Sequence, residues 1–535
     1  MAMAAQHAAL IERLQVQARR SPRLYLCKLA LLASLGYGLL LALLLVSLGV
    51  PAFVLVQVVS AAVPLEPHLA WVILLPGAFG VALLRALWIR FAQPPGYRLA
   101  AGEAPLLEAE VERLRVAIGA PVLDGIVIDS NLNASATDMP RAWGLLGHRH
   151  YLVLGFPLLQ LMDRAELASV IAHEFGHFGE RHGPFSGWIY RVRLSWYRVL
   201  EGMNGGGLVG YLLARFFAWY APYFNAYSFV LARDNEYAAD AAAARTAGAE
   251  ALASALLRME LASRRLECDL AGGISRRARS QGHPPAQMLS DLARKLQDPR
   301  PGDLQRLMEL AGRDSDPDDT HPTLPQRLAA IGVKPMLHGG TGSPAIELLG
   351  SRRTDIERQL DAHWREEVRP SWRETYAEAA ADRTRLSALE MQATSTPDEL
   401  LERARLLESL RDADDALPLY EQVLAELPEH GFAHYRCGLL RLRQGDHEAG
   451  IAQLQRAITL DPGAVRPILL DLEQLARDPD LTTATAQALA GLHAQVLPRA
   501  QALQSRDGVE QGDQYQQHGL DNVGLAKLER TLELA

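Results

Sequence analysis

Five consecutive residues carry the densest chemical signal in this chain: His173-Glu174-Phe175-Gly176-His177. Side chains four apart share one face of a helix, so His173 and His177 can aim both imidazoles at a single ion. Glu174 then lies next to the metal, placed to take a proton from a zinc-bound water. The chemistry expected is metal-assisted hydrolysis of a peptide bond. The segment before the box supports a helix there. Asp163 followed by Glu166 makes a capping-box pattern, and Leu167, Val170 and Ile171 have helical apolar spacing.

Two His do not close a catalytic zinc site; a third protein ligand is needed, with water in the remaining position. One arrangement uses a His ten residues after the first and a Gly at the seventh, but those positions are Gly183 and Glu180, and His182 misses by one. The other takes a Glu from a separate helix. Arg233-Asp234-Asn235-Glu236-Tyr237-Ala238-Ala239-Asp240 opens an Ala-rich helical stretch with Glu236 and Asp240 on one face. Glu236 can bind metal, while Asp240 can accept a hydrogen bond from a ligating His and fix its tautomer.

The pattern His173-Glu174-x-x-His177 followed by Glu236-x-x-x-Asp240 resembles the membrane zinc peptidases typified by the HtpX heat-shock protease and the CAAX prenyl endopeptidase. The resemblance covers approximately residues 95 to 335 and the hydrophobic region before them. It implies His173, His177 and Glu236 as ligands of one Zn2+, Glu174 as general base, and Asp240 behind the ligands. Two further segments look like the family. Ile126 to Ser130, then Asn133-Ala134-Ser135-Ala136, reads as a strand and a second extended segment. In the family the equivalent segment is an edge strand that pairs with substrate, which would set Asn133 and Ala134 along the cleft. Thr320-His321-Pro322, with Arg327 downstream, resembles the family's His-Pro…Arg element. That implies oxyanion stabilisation by His321 and support from Arg327.

The elements that position these residues include a membrane region. Leu29 to Leu65 contains no charge, more than one bilayer crossing needs. A second apolar run, Leu69 to Ile89, contains only Arg85, so a two-helix hairpin is expected. Arg13, Arg19, Arg20, Arg23 and Lys28 precede it; Arg85, Arg90 and Arg98 close it; the turn between has no Lys or Arg. Both flanks, and the peptidase domain, are therefore expected on the cytoplasmic side of the cell membrane. A third apolar stretch, Gly205 to Ala232, separates the His pair from Glu236. Because all three must meet, the number of crossings between them must be even. The Arg-bearing segment 183–200 makes a poor span, so zero crossings are expected, with Trp188, Tyr190, Trp196, Tyr197, Trp219, Tyr220 and Tyr223 resting in the interface. Two spans within 183–232 are the alternative.

The chain has 535 residues, with 54 Lys+Arg against 62 Asp+Glu, so no nucleic-acid partner is expected. Cys27, Cys268 and Cys437 are widely spaced, which reads as a chain without structural disulfides. Towards the end the pattern Asp415-Ala416-Leu417 to Pro428 returns as Glu448-Ala449-Gly450 to Pro462. The two prolines fall one tetratricopeptide period apart, so the segment resembles tetratricopeptide helix pairs, which offer a surface to a protein partner. The fold class expected is mainly α: a membrane hairpin, an α+β zincin-like peptidase domain with a small sheet, and a helical repeat domain. Boundaries fall at 1–25 (cytoplasmic arm), 26–92 (hairpin), 95–338 (peptidase), 339–395 (linker and helices), 396–500 (repeats) and 501–535 (tail with a last helix, 519–534). The function expected is a zinc endopeptidase acting on protein or peptide substrates in or near the bilayer, such as misfolded membrane proteins. The competing reading is a non-proteolytic scaffold or chaperone built on the repeats.

Overall fold

The computed structural model describes residues 2–60, 67–87, 93–140, 147–178, 208–266, 271–296, 322–336, 342–392, 395–411, 413–476 and 490–496, with isolated positions between 185 and 192. His321, segment 193–207 and the tail expected to hold a last helix lie outside the described residues.

A four-stranded sheet supports the site. Its strands are β1 (Tyr97–Arg98), β2 (Gly125–Asp129), β3 (Ala134–Pro140) and β4 (His148–Gly155), in the order β1-β2-β4-β3. β2 and β4 are parallel and the other pairs antiparallel, which leaves β3 at an edge. The two-residue period of a strand divides the apolar residues between faces. Ile126, Ile128, Leu152 and Leu154 join the main core, while Val127, Met139, Tyr151 and Val153 form a small cluster on the other face. Gly155 ends β4 where an added Cβ would sit 1.7 Å from the Asn131 carbonyl oxygen, a space only glycine fits.

The main core is completed by α4 (Pro105–Ile118), the short buried α5 (Phe156–Leu161) and α6 (Arg164–Gly176). The capping box expected at Asp163 is present. The Asp163 side chain accepts from the Glu166 N–H at 2.9 Å, and Glu166 accepts from the Asp163 N–H at 3.0 Å. Glu166 also accepts from Ser254 Oγ (2.6 Å) and Arg258 Nε (3.1 Å), tying α6 to α8 (Ala249–Arg265).

In the apolar N-terminal region, α2 (Pro22–Ser60) is long and apolar enough to cross a bilayer. It packs against α3 (Pro67–Leu87), whose Gly80 meets Ser47 and Leu48 while Gly77 lies against Pro51, an antiparallel crossing. Leu41, Leu45, Phe53, Trp71 and Leu75 point outward. The third apolar stretch is the first half of one 40-residue helix, α7 (Leu208–Ala247), about 60 Å long. It does not lie apart as a surface element. Its first half runs beside the start of α2, with Tyr227 stacked on Tyr25 (5.6 Å) and Tyr220 donating to the Leu32 carbonyl (3.0 Å). Tyr220 is thus buried and Trp188 stacks on Tyr37, while Trp219 and Tyr223 are exposed; α1 (Ala2–Arg20) also packs on α7.

Downstream, the chain departs from the expected linker. Ser343 and Ala345 bond backbone to backbone with Arg164 and Met162, and Ile346, Leu348, Leu349, Ile356 and Leu360 enter the main core. The unit expected to end at 338 therefore extends past that residue. Glycines around 340 read as a linker on composition, but the apolar residues after them complete the core floor. The charge-rich residues 353–390 form a single helix, α12 (Arg353–Glu390), which passes over α9 (Ala271–Ser280) and α10 (Met288–Leu296) with Trp364 and Trp372 buried between.

Helices α13 (Pro397–Leu410) and α14 (Leu417–Glu426), then α15 (Gly431–Arg443) and α16 (His447–Leu460), form the two expected pairs, followed by α17 (Val465–Ala476). Gly438 and Gly450 allow α15 and α16 to touch, each Cβ position lying near the other's carbonyl. Arg436 joins three helices through Glu408 on α13 and Asp471 on α17.

Glu166→Ala would leave Arg258 without its buried carboxylate partner and the Asp163 N–H without its capping-box acceptor. The expected result is a loss of about 2–4 kcal/mol in stability, read as a lower denaturation midpoint for the purified chain in detergent; an unchanged midpoint would contradict this.

Candidate metal centre

The box occupies the last turn of α6, where the main core buries Ala172 and Phe175 and turns the opposite face towards α7. Gly176 sets the distance between the helices. A Cβ there would lie 2.8 Å from Ala239 Cα and 3.1 Å from Ala239 Cβ. Glycine is unfavourable inside a helix, so its presence marks a close backbone approach. That approach brings Glu236, one turn before Asp240 on α7, against the His pair.

The donor atoms converge. His173 Nε2 and His177 Nε2 are 3.2 Å apart, and each is 3.6 Å from a Glu236 carboxylate oxygen. Ligands held at ~2.0–2.1 Å around a tetrahedral ion would lie about 3.3 Å from one another. Among the described residues these three form the group able to hold a metal. Two imidazoles and one carboxylate are a donor set that fits zinc, which would take water as its fourth ligand.

A second layer orients the first. His173 Nδ1 lies 2.9 Å from Asp240 Oδ1, which leaves Nε2 for the ion. Arg327, on α11 (Leu324–Ile331), donates to both Asp240 oxygens at 2.8 and 2.6 Å and lies 3.9 Å from Glu236. Burial alone would raise the Asp240 carboxyl; hydrogen bonds from Arg327 and His173 outweigh it and hold the group at about 2. Asp240 is thus a fixed anion behind His173.

Glu174 points towards β3. Its carboxylate accepts from the Ala136 N–H at 3.2 Å. Burial pushes its carboxyl above the usual range, against the pull of His173 and of that N–H. The edge explains the contact. Asn133 bonds to Gly155 across the ladder, so alternation turns the N–H and C=O of Ala134, Ala136 and Asp138 outward.

The sequence-expected residues separate as follows. His173, His177, Glu236, Glu174, Asp240 and Arg327 come together, and His321 lies outside the described residues. β3 is the edge strand, as expected, but Ala134 is buried in the core and the Asn133 side chain bonds to the Ala134 N–H. Ala136, which sequence reading passed over, is the strand residue that reaches Glu174. Gly176 was also missed, although a glycine inside a helical motif is a readable sign of close packing.

A His pair on one helix, a Glu on a second and a sheet edge alongside that pairs with no further strand among the described residues define a metallopeptidase-type domain. Residues 103–333 match Peptidase family M48, and residues 401–465 match the Tetratricopeptide repeat. The chain therefore carries an HtpX-like M48 peptidase domain and a C-terminal tetratricopeptide region. It is 30% identical over 222 residues to the Protease HtpX homolog of Pyrobaculum aerophilum, across 39% of this chain and 62% of that protein. It is 31% identical over 208 residues to the Protease HtpX homolog of Pyrobaculum calidifontis, across 36% and 58%. The chain thus spans about three fifths of the length of these curated relatives.

Two substitutions test the geometry. Asp240→Ala is expected to weaken zinc binding by about 10–100-fold, measured by competition with a chelating dye. Gly176→Val is expected to push α6 from α7 and abolish stoichiometric zinc while the repeats stay folded; full zinc occupancy in this variant would refute the role given to the close approach.

Proposed function

We propose that the chain is a membrane-anchored, zinc-dependent endopeptidase. The observation that carries this reading is the meeting of His173, His177 and Glu236 with a buried Glu174 beside them and, alongside, the β3 edge, which pairs with no further strand among the described residues. Zinc in this site would polarise the scissile carbonyl and acidify a water. The substrate strand would add to the outward groups of β3, bringing one peptide bond level with Ala136. Glu174 would take the proton of the attacking water and pass it to the leaving amine. Asp240 and Arg327 would hold His173 in one tautomer, and His321 would steady the oxyanion.

α2 and α3 would form the membrane hairpin, with the basic flanks and the peptidase domain on the cytoplasmic side. Protein substrates near the bilayer, misfolded membrane proteins among them, fit such an anchor, and the repeats would receive a protein partner. The scaffold reading has less support: a structural ion needs no carboxylate such as Glu174, held within reach of its ligands.

The deciding experiment is digestion of unfolded casein by the purified, zinc-loaded chain in detergent beside Glu174→Gln. Cleavage by the wild type, reduced by at least about a thousandfold in the variant with zinc still bound, is expected. Equal activity, or none in the wild type, would end the peptidase reading.

A further inference from the structure

The edge strand beside the metal centre carries one charge. Of the seven residues of β3, Asp138 is the only acidic or basic one. Alternation decides where it points. Ala134 joins the main core with Leu152 and Leu154, whereas Met139 clusters on the other face with Tyr151 and Val153. Asp138 has the parity of Ala134 and Ala136, so its side chain stands on the core face, the one α6 packs against. A chain of contacts agrees. Across the ladder Asp138 pairs with His150, whose Nδ1 lies 3.5 Å from Asp138 Oδ1. The His150 ring meets Phe178 edge-on at 5.4 Å, and Phe178 directly follows His177. Asp138 therefore stands on the metal side of the sheet.

The carboxylate is also open to a further partner. Its side chain is 43% exposed, whereas that of Glu166, which holds the fold, is 2% exposed. The backbone of Asp138 turns its N–H and C=O outward, as does that of Ala136 two residues earlier. Ala136 is the residue whose N–H meets Glu174. A strand added to this edge would set one residue level with Ala136, at the reacting bond, and another level with Asp138, two positions along. In either strand direction that second side chain shares the face of Asp138, with the two Cβ atoms about 5 Å apart. Opposite charges attract at this spacing and like charges repel.

We infer that Asp138 is a specificity-determining residue: the site favours unfolded segments with Lys or Arg two positions from the cut bond, and disfavours Asp or Glu there. This rests on the peptidase reading above and narrows its substrate class.

The test digests unfolded casein with the purified, zinc-loaded chain in detergent and maps the cuts by mass spectrometry. The best-cut sequence is then made as peptides carrying Lys or Glu, in turn, at the second position on either side of the bond. The wild type should favour Lys over Glu in kcat/KM by at least about threefold at one of these positions. The gap should shrink in ~1 M salt, which screens charges beyond about 3 Å. Asp138→Asn should bring the ratio close to one, and Asp138→Lys should invert it. Each ratio is internal to one variant, so a general fall in activity does not mask it. Equal rates for Lys and Glu in the wild type, or a preference that survives both substitutions, would overturn the subsite and leave the peptidase intact. Failure of the wild type to cut casein at all would overturn both.

Discussion

The contact of Gly176 with Ala239 is the constraint on which the rest of the site depends. Two helix backbones meet where one glycine removes the only atom that would keep them apart. Only at that separation can a carboxylate from α7 reach imidazoles on α6. The core holds the contact from behind: Phe175 and Ile171 bury the far face of α6, and Glu166 fixes its start through Asp163, Ser254 and Arg258. Glycine's unfavourable helix propensity is tolerated because packing, not propensity, holds most helices in proteins.

Behind the ligands, charge is arranged in sequence. Arg327 neutralises Asp240, Asp240 orients His173, and His173 faces the ion position. A buried carboxylate next to two imidazoles and a second carboxylate would be costly without a cation. Arg327 supplies it from α11, a short helix begun by a capping box at Thr323. Glu174 stands apart from that chain. Its partner is a backbone N–H of the sheet edge, so the group proposed as base and the strand proposed to hold substrate are linked by one hydrogen bond.

The same helix that supplies Glu236 packs on α2, so the site and the apolar N-terminal helices form one continuous structure rather than two units on a tether. The repeats are attached with comparable firmness. α12 carries Trp364 and Trp372 into the peptidase unit and Leu386 into the first helix pair, and Arg279 of α9 donates to Ser409 of α13. A partner on the repeats would be held in a set relation to the cleft.

What the sequence determined by itself is what depends on short spacing. The His pair, the capping box and the helix pairs of the repeats follow from the helical period of 3.6 or from one repeat, the apolar run of α2 follows from its length without charge, and the edge position of β3 was what the resemblance implied. Glu236 and Asp240 were legible as a pair on one face, but their use needed a resemblance, because no local rule connects them to residues sixty positions earlier. Only the tertiary structure decided which strand residue meets Glu174, that residues 343–360 belong to the peptidase core, and that the third apolar stretch lies along α2. Each depends on contacts between segments far apart in the chain, where the relative placement of whole elements outweighs composition. Gly176 joins the two levels: its identity was visible in the motif, and its reason was a neighbour that only the fold brought near.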